Sequence, residues 1–184
     1  TFSHSGKKKE IKFNKKDFPK FEDKIVHIIL NKDPVEKKHN QNNSPSLLRQ
    51  NSIKRIEIQR NYIGKALEDA DKNDYVIYSD NDEIPRFENI NFNQNKSKIV
   101  AFKQKLFYYK FNLFCDRIEW HGTRGCKKKY LKSFSWLRDI KIKNYPFYRI
   151  DTILSDTKYT NIKIVNNGGW HFSFLKQPED IVTK

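Results

Sequence analysis

The chain has 184 residues, long enough for one domain with an apolar core. Hydrophobic residues make up 36% and aromatics 14%, which excludes a disordered chain, and no apolar run is long enough for a membrane-spanning helix or a signal peptide. Lys and Arg number 37 against 22 acids, a net charge of +15 that suits nucleic acid, an anionic membrane or phosphorylated small molecules; it reads equally as an AT-rich coding bias that writes Lys, Asn and Ile wherever a surface tolerates them.

Residues 1–20 are basic, broken by Gly6 and Pro19, and read as loop. Lys24 to Leu30 (Lys-Ile-Val-His-Ile-Ile-Leu) is rich in β-branched residues and predicts a strand buried on both faces of a parallel sheet. The Asn-, Lys- and Pro-rich stretch 31–46 predicts a surface loop. From Leu47 to Ala70 the spacing of Ile53, Ile56, Ile63, Leu67 and Ala70 predicts a helix, with Arg60 on its apolar stripe. Arg60 reads either as the ion-pair partner of Glu57, one turn earlier, or as an anion contact at a sheet edge.

Tyr75 to Ser79 predicts a short strand with acids clustered just past its end. Lys98–Phe102 and Leu106–Leu113 predict two neighbouring strands, one of them antiparallel. Tyr130 to Ile142 has helical spacing, and Asn161 to Val165 predicts a last strand running into Asn166-Asn167-Gly168-Gly169-Trp170-His171-Phe172-Ser173. Strand, helix, strand and then mixed elements predict an α/β fold with a mainly parallel sheet. Cys115 and Cys126 form no C-x-x-C pair, which argues against a zinc site or a disulfide framework and for a reducing compartment.

Ligands of open α/β sheets bind outside the carboxyl ends of the strands, where Asp80 and Asp82 are expected. Two carboxylates one residue apart can approach one hard divalent cation, Mn²⁺ or Mg²⁺, which would neutralise a leaving diphosphate. The alternative is a solvated acidic turn. Glu83 reads as a general base or as the salt-bridge partner of Arg86. Gly168-Gly169 allows close approach of backbone to a ligand. Trp170 could stack on a sugar, and His171 could ligate a metal or accept a proton; the alternative is that Trp170 and Phe172 are core and His171 is satisfied by backbone.

Four segments, in order, resemble glycosyltransferase family 17, the bisecting N-acetylglucosaminyltransferase family: Thr1-Phe2-Ser3 with Gly6-Lys7; Gln59-Arg60-Asn61; Ser79-Asp80-Asn81-Asp82-Glu83-Ile84-Pro85-Arg86; and Gly168-Gly169-Trp170-His171-Phe172-Ser173. The resemblance implies a single GT-A-like catalytic domain over 1–184, a mainly parallel Rossmann-type sheet flanked by helices. It also implies inverting transfer of N-acetylglucosamine from a UDP-sugar donor to a mannose-containing or other glycan acceptor, with Mn²⁺ or Mg²⁺ as cofactor. Asp80 and Asp82 become the metal site. Arg60, Asn61, Arg86, Gly169 and Trp170 become substrate contacts, and Glu83 and His171 the candidate catalytic residues.

His4 and Ser5 interrupt the family's Thr-Phe-Ser-Gly run, and neither the strand that the family carries before that segment nor its Ser- and His-Glu-containing stretch after the Gly-Gly-Trp-His segment is found here, so the chain reads as a fragment incomplete at both ends. A microbial protein of this kind is expected in the cytoplasm or against a membrane through its basic surface, a eukaryotic one in the Golgi membrane. The competing reading is a basic single-stranded nucleic-acid-binding module without enzymatic activity, built on Lys105-Leu106-Phe107-Tyr108-Tyr109-Lys110-Phe111; under the transferase reading no nucleic acid is expected. A third is a relative that binds sugar nucleotide without turnover.

Overall fold

The computed structural model describes residues 3, 6–35, 44–143, 145–146, 148–159 and 161–175. Thr1, Phe2, His4 and Ser5 of the opening motif and residues 36–43 of the Asn-rich stretch lie outside them. The chain divides into two compact units, one of residues 1–69 with 133–135, the other of residues 70–132 with 136–184.

In the first unit, two 3-10 turns, Lys15–Asp17 and Pro19–Lys24, precede helix α1, Pro45–Tyr62. The Ser44 hydroxyl accepts the Leu47 amide at 3.3 Å and Pro45 occupies the first turn, where its missing N–H costs nothing. The expected helix to Ala70 ends early, tightening into a 3-10 turn over Ile63–Leu67. The predicted apolar stripe does not form a buried face: Ile53 is 55% exposed, and the one buried α1 residue is Arg55. Its guanidinium grips Asp33 through two bonds of 2.9 and 3.0 Å.

Lys24–Leu30 is not a strand. No pairing involves it among the described residues, and Val26 is 67% exposed. β-branched composition suits a pleated surface but cannot supply the neighbour whose backbone completes the ladder.

The second unit holds one six-stranded sheet: β1 Tyr75–Tyr78, β2 Glu83–Pro85, β3 Ile99–Tyr108, β4 Phe114–Lys127, β5 Ile162–Val165 and β6 Gly169–Ser173. The order is β1-β4-β3-β6-β2, with β5 also paired to β3. β1–β4, β3–β4 and β2–β6 are antiparallel; β3–β5 and β3–β6 are parallel. β5 runs beside Ile99–Phe102 and β6 beside Lys105–Tyr108, so both lie along one edge of β3 in succession.

This overturns the expected GT-A-like, mainly parallel Rossmann-type sheet flanked by helices: the sheet is curled and mixed, with few helices. The physical reason lies in the connections. A parallel crossover needs about a dozen residues, usually a helix, whereas residues 109–113 alone join β3 to β4, which can pair only antiparallel, and the helices α2, Phe134–Asp139, and α3, Asp151–Leu154, are too short to flank a sheet. The predicted helix over 130–142 shrinks to α2, and the predicted strands 98–102 and 106–113 merge into β3 with a turn after Tyr108.

Val100, Phe102 and Val165 form a core cluster with Tyr75, Ile77, Ile90 and Phe92 against it. At the far end of β3 the aromatics are less covered. Phe107 packs on Phe114 and Phe172, and Phe111 on Phe172, yet Phe111 is 70% exposed, and Tyr109 and Phe174 take positive φ values of 65° and 55°.

Candidate active site

The site grows from the turn that joins β1 to β2. The apolar run ends at Tyr78, and the Ser79–Glu83 segment reverses the chain. The Glu83 amide donates to Asp80 O at 3.0 Å, the Ser79 hydroxyl donates to Glu83 O at 2.9 Å, and the Asp80 amide donates to Glu83 Oε2 at 3.3 Å. Short polar side chains that bond nearby backbone favour such a turn. Ser79 Oγ also lies 2.7 Å from Thr123 Oγ1, tying the turn to β4.

Glu83 starts β2, and its side chain has no exposed area. A buried carboxylate requires paired charge and hydrogen bonds. Arg138 Nη2 donates to Oε1 at 2.9 Å and Arg138 Nη1 to Oε2 at 3.3 Å, the Trp120 indole N–H donates to Oε1 at 3.0 Å, and Thr123 Oγ1 lies 3.5 Å from Oε2. Arg138 is held in turn by the carbonyl of Gly122. Gly122 makes the packing feasible: a Cβ there would lie 2.1 Å from Glu83 Oε1 and 2.3 Å from Trp120 Nε1.

Asp80 and Asp82 meet different surroundings. The Tyr78 hydroxyl donates to Asp80 Oδ1 at 2.5 Å, and Arg138 Nη2 lies 2.9 Å from its Oδ2. Asp82 is 42% exposed at the side chain and lies against His171, with Oδ2 3.3 Å from Nε2. The register pairs Glu83 with His171, and the Phe172 amide donates to Asp82 O at 2.9 Å. His171 is buried; its ring stacks on Trp120 at 4.3 Å between centroids and 26° between planes, and its Nδ1 is buried with no hydrogen-bond partner. One ligand atom each from Asp82, Glu83 and His171 lies within 4.8 Å of the others. Carboxylate oxygen with imidazole nitrogen is a donor set for Mn²⁺ or a related divalent ion. With Glu83 engaged by Arg138 and Trp120, Asp82 and His171 are the two residues that fit such an ion best. Asp80 stands outside the group, its charge met by Arg138.

The remaining sequence candidates separate. Side chains alternate along a strand, so Trp170 stands on the opposite face of β6 from His171. There the Arg86 guanidinium lies 4.5 Å from the Trp170 ring, so Arg86, the other partner considered for Glu83, is engaged elsewhere. Gly169, at φ 121°, sits where a Cβ would meet Ile84 O at 2.0 Å, so it permits the β2–β6 ladder. Arg60 and Asn61 belong to the first unit, where Asn61 Oδ1 accepts the Ser135 amide at 2.9 Å. Sequence reasoning missed Trp120, Gly122, Thr123 and Arg138. The one available signal was an arginine beside Leu137 and Ile140, a cation amid apolar spacing that calls for a buried anion.

The arrangement offers donor atoms for a small hard cation at a half-exposed rim, backed by a hydrogen-bonded floor in which Arg138 faces the carboxylates of both Asp80 and Glu83. No protein-family model, curated protein or solved structure matches the chain.

Proposed function

We propose that the chain is a divalent-cation-dependent glycosyltransferase that moves N-acetylglucosamine, or a related sugar, from a UDP donor to a glycan acceptor with inversion. The observation that carries the reading is the meeting of its two most specific motifs. Asp82 of the acidic turn and His171 of the Gly-Gly-Trp-His segment lie 89 residues apart in sequence and 3.3 Å apart in space. A chance acidic turn gives no reason for that encounter.

In this reading Asp82 and His171 would hold a divalent cation, which would supply the positive charge that neutralises a departing diphosphate. Asp80, bound to Arg138 and Tyr78, fixes the turn that presents Asp82. Glu83 serves as an anchor rather than a proton acceptor, because its side chain is sealed and bonded to Arg138 and Trp120. His171 serves as a holding group, since Nε2 faces Asp82 and Nδ1 is closed off from solvent.

Calorimetry with Mn²⁺ and UDP-N-acetylglucosamine, followed by a release assay for UDP, tests the reading. Asp82→Asn is expected to remove most metal-dependent turnover while the circular dichroism spectrum stays the same. Equal turnover by that variant would reject it. The nucleic-acid reading gains support from one feature, the exposure of Tyr109 (48%) and Phe111 (70%) on either side of Lys110. Stacking on those rings with phosphate contacts would give oligonucleotide binding that weakens steeply with salt and ignores Mn²⁺.

A further inference from the structure

The orphaned nitrogen of His171 raises a positioning problem. An imidazole that serves a metal is ordinarily oriented by a hydrogen bond through its second nitrogen. His171 lacks that restraint, because Nδ1 is buried without a partner. Asp82, on the other side of the ring, is a half-exposed turn residue and cannot by itself fix the ring plane. What bears on the imidazole is the indole of Trp120, stacked at 4.3 Å.

We infer that Trp120 is the positioning residue of the Asp82–His171 pair, replacing by stacking the hydrogen bond that Nδ1 does not make. The inference rests on the cation site proposed above. Trp120 is suited to the task because it is itself fixed. Its N–H donates to Glu83 Oε1 at 3.0 Å, and Glu83 cannot shift while Arg138 binds both of its oxygens. The guanidinium carbon of Arg138 also lies 5.8 Å from the indole centroid. Orientation therefore passes from Arg138 through Glu83 and Trp120 to His171. The missing Cβ of Gly122 keeps the middle of this chain intact, since a methyl there would intrude on both the Glu83 carboxylate and the indole nitrogen.

The whole chain is compared with Trp120→Phe, Trp120→Ala and Asp82→Asn. The probe is Mn²⁺ alone, followed by calorimetry and by the nitrogen modulation that a bound imidazole imprints on the electron spin echo of Mn²⁺. Trp120→Ala is expected to weaken Mn²⁺ binding about 10- to 100-fold, as losses of residues behind a ligand do, with the nitrogen modulation diminished. Trp120→Phe, which keeps a ring but not the N–H, should lose less. Thermal unfolding identifies a general loss of structure. Nitrogen-15 spectra of His171 at fixed pH give a metal-free readout: a single tautomer and ring setting in the parent chain, averaging in Trp120→Ala.

Trp120→Ala with Mn²⁺ affinity within about twofold of the parent, or with unaltered His171 spectra, would overturn the inference. Should the parent and Asp82→Asn bind Mn²⁺ equally, or neither bind it, the cation reading fails instead. The nitrogen-15 comparison then decides the role of Trp120 by itself.

Discussion

Two aromatic-rich regions of the same sheet are built in opposite ways. Around Glu83, every polar atom of the carboxylate is met by Arg138, Trp120, Thr123 or backbone, and the indole is committed to both Glu83 and His171. At the far end of β3, Phe107, Phe111, Phe114 and Phe172 touch one another, yet Phe111 and Phe114 remain largely in solvent. The first region is held by directional bonds among buried groups, where a single missing partner is costly. The second is held by ring contacts that tolerate rearrangement. Rigidity, not aromatic content, distinguishes the candidate site.

The sharpest way to break this contrast is Arg138→Met. Two carboxylates would lose their cation, one of them fully buried, and a loss of about 3–5 kcal/mol is expected in urea unfolding. Gly122→Ala should follow at about 1–3 kcal/mol, the range for overpacking a tight site. Asp82→Asn, at the half-exposed rim, should stay within about 0.5 kcal/mol of the parent while Mn²⁺ binding falls. Phe111→Ser should also move stability by less than about 0.5 kcal/mol. If Phe111→Ser proved as damaging as Gly122→Ala, the contrast between the regions would be false.

A chemical probe sharpens the same picture at a different core position. Burial pushes the Cys126 thiol up to about 12, so at pH 8 it should resist a disulfide reagent while half-buried Cys115 reacts. Above the ordinary value of 9.0 the unfolded chain loses the proton first, so this group's contribution to stability is intact below pH 9 and declines between about pH 9 and 12.

The legible parts of the sequence were those where composition and local pairing agree. The run Tyr75–Tyr78 reads as a strand because a neighbour exists for it, and the acids fall at its end because polar, turn-forming residues stop it. Lys24–Leu30 has the same apolar texture but no partner, which composition cannot report. β4 was hidden for the converse reason. Phe114–Lys127 is polar and bulged against β3, with register shifts between Ala101 and Lys103 and between Gln104 and Leu106, so no alternation marks it. Trp120, Thr123 and Gly122 remained invisible with it. The acidic turn and His171 could be named from their motifs, yet their division of labour could not. Only the positions of Arg138 and Trp120 show which two carboxylates share one guanidinium, which of those is sealed and which third carboxylate faces outward.

The β2–β6 pairing has a consequence for the chain during its own synthesis. The acidic turn leaves the ribosome long before the strand that carries His171, and Asp82 must wait 89 residues for its neighbour. Non-local contacts of this kind close late. A nascent chain halted before Gly169 could pair β3 with β4 and β1 with β4, but it would carry a crowd of acids without the imidazole beside them. Any affinity that depends on both should therefore switch on only when β6 docks.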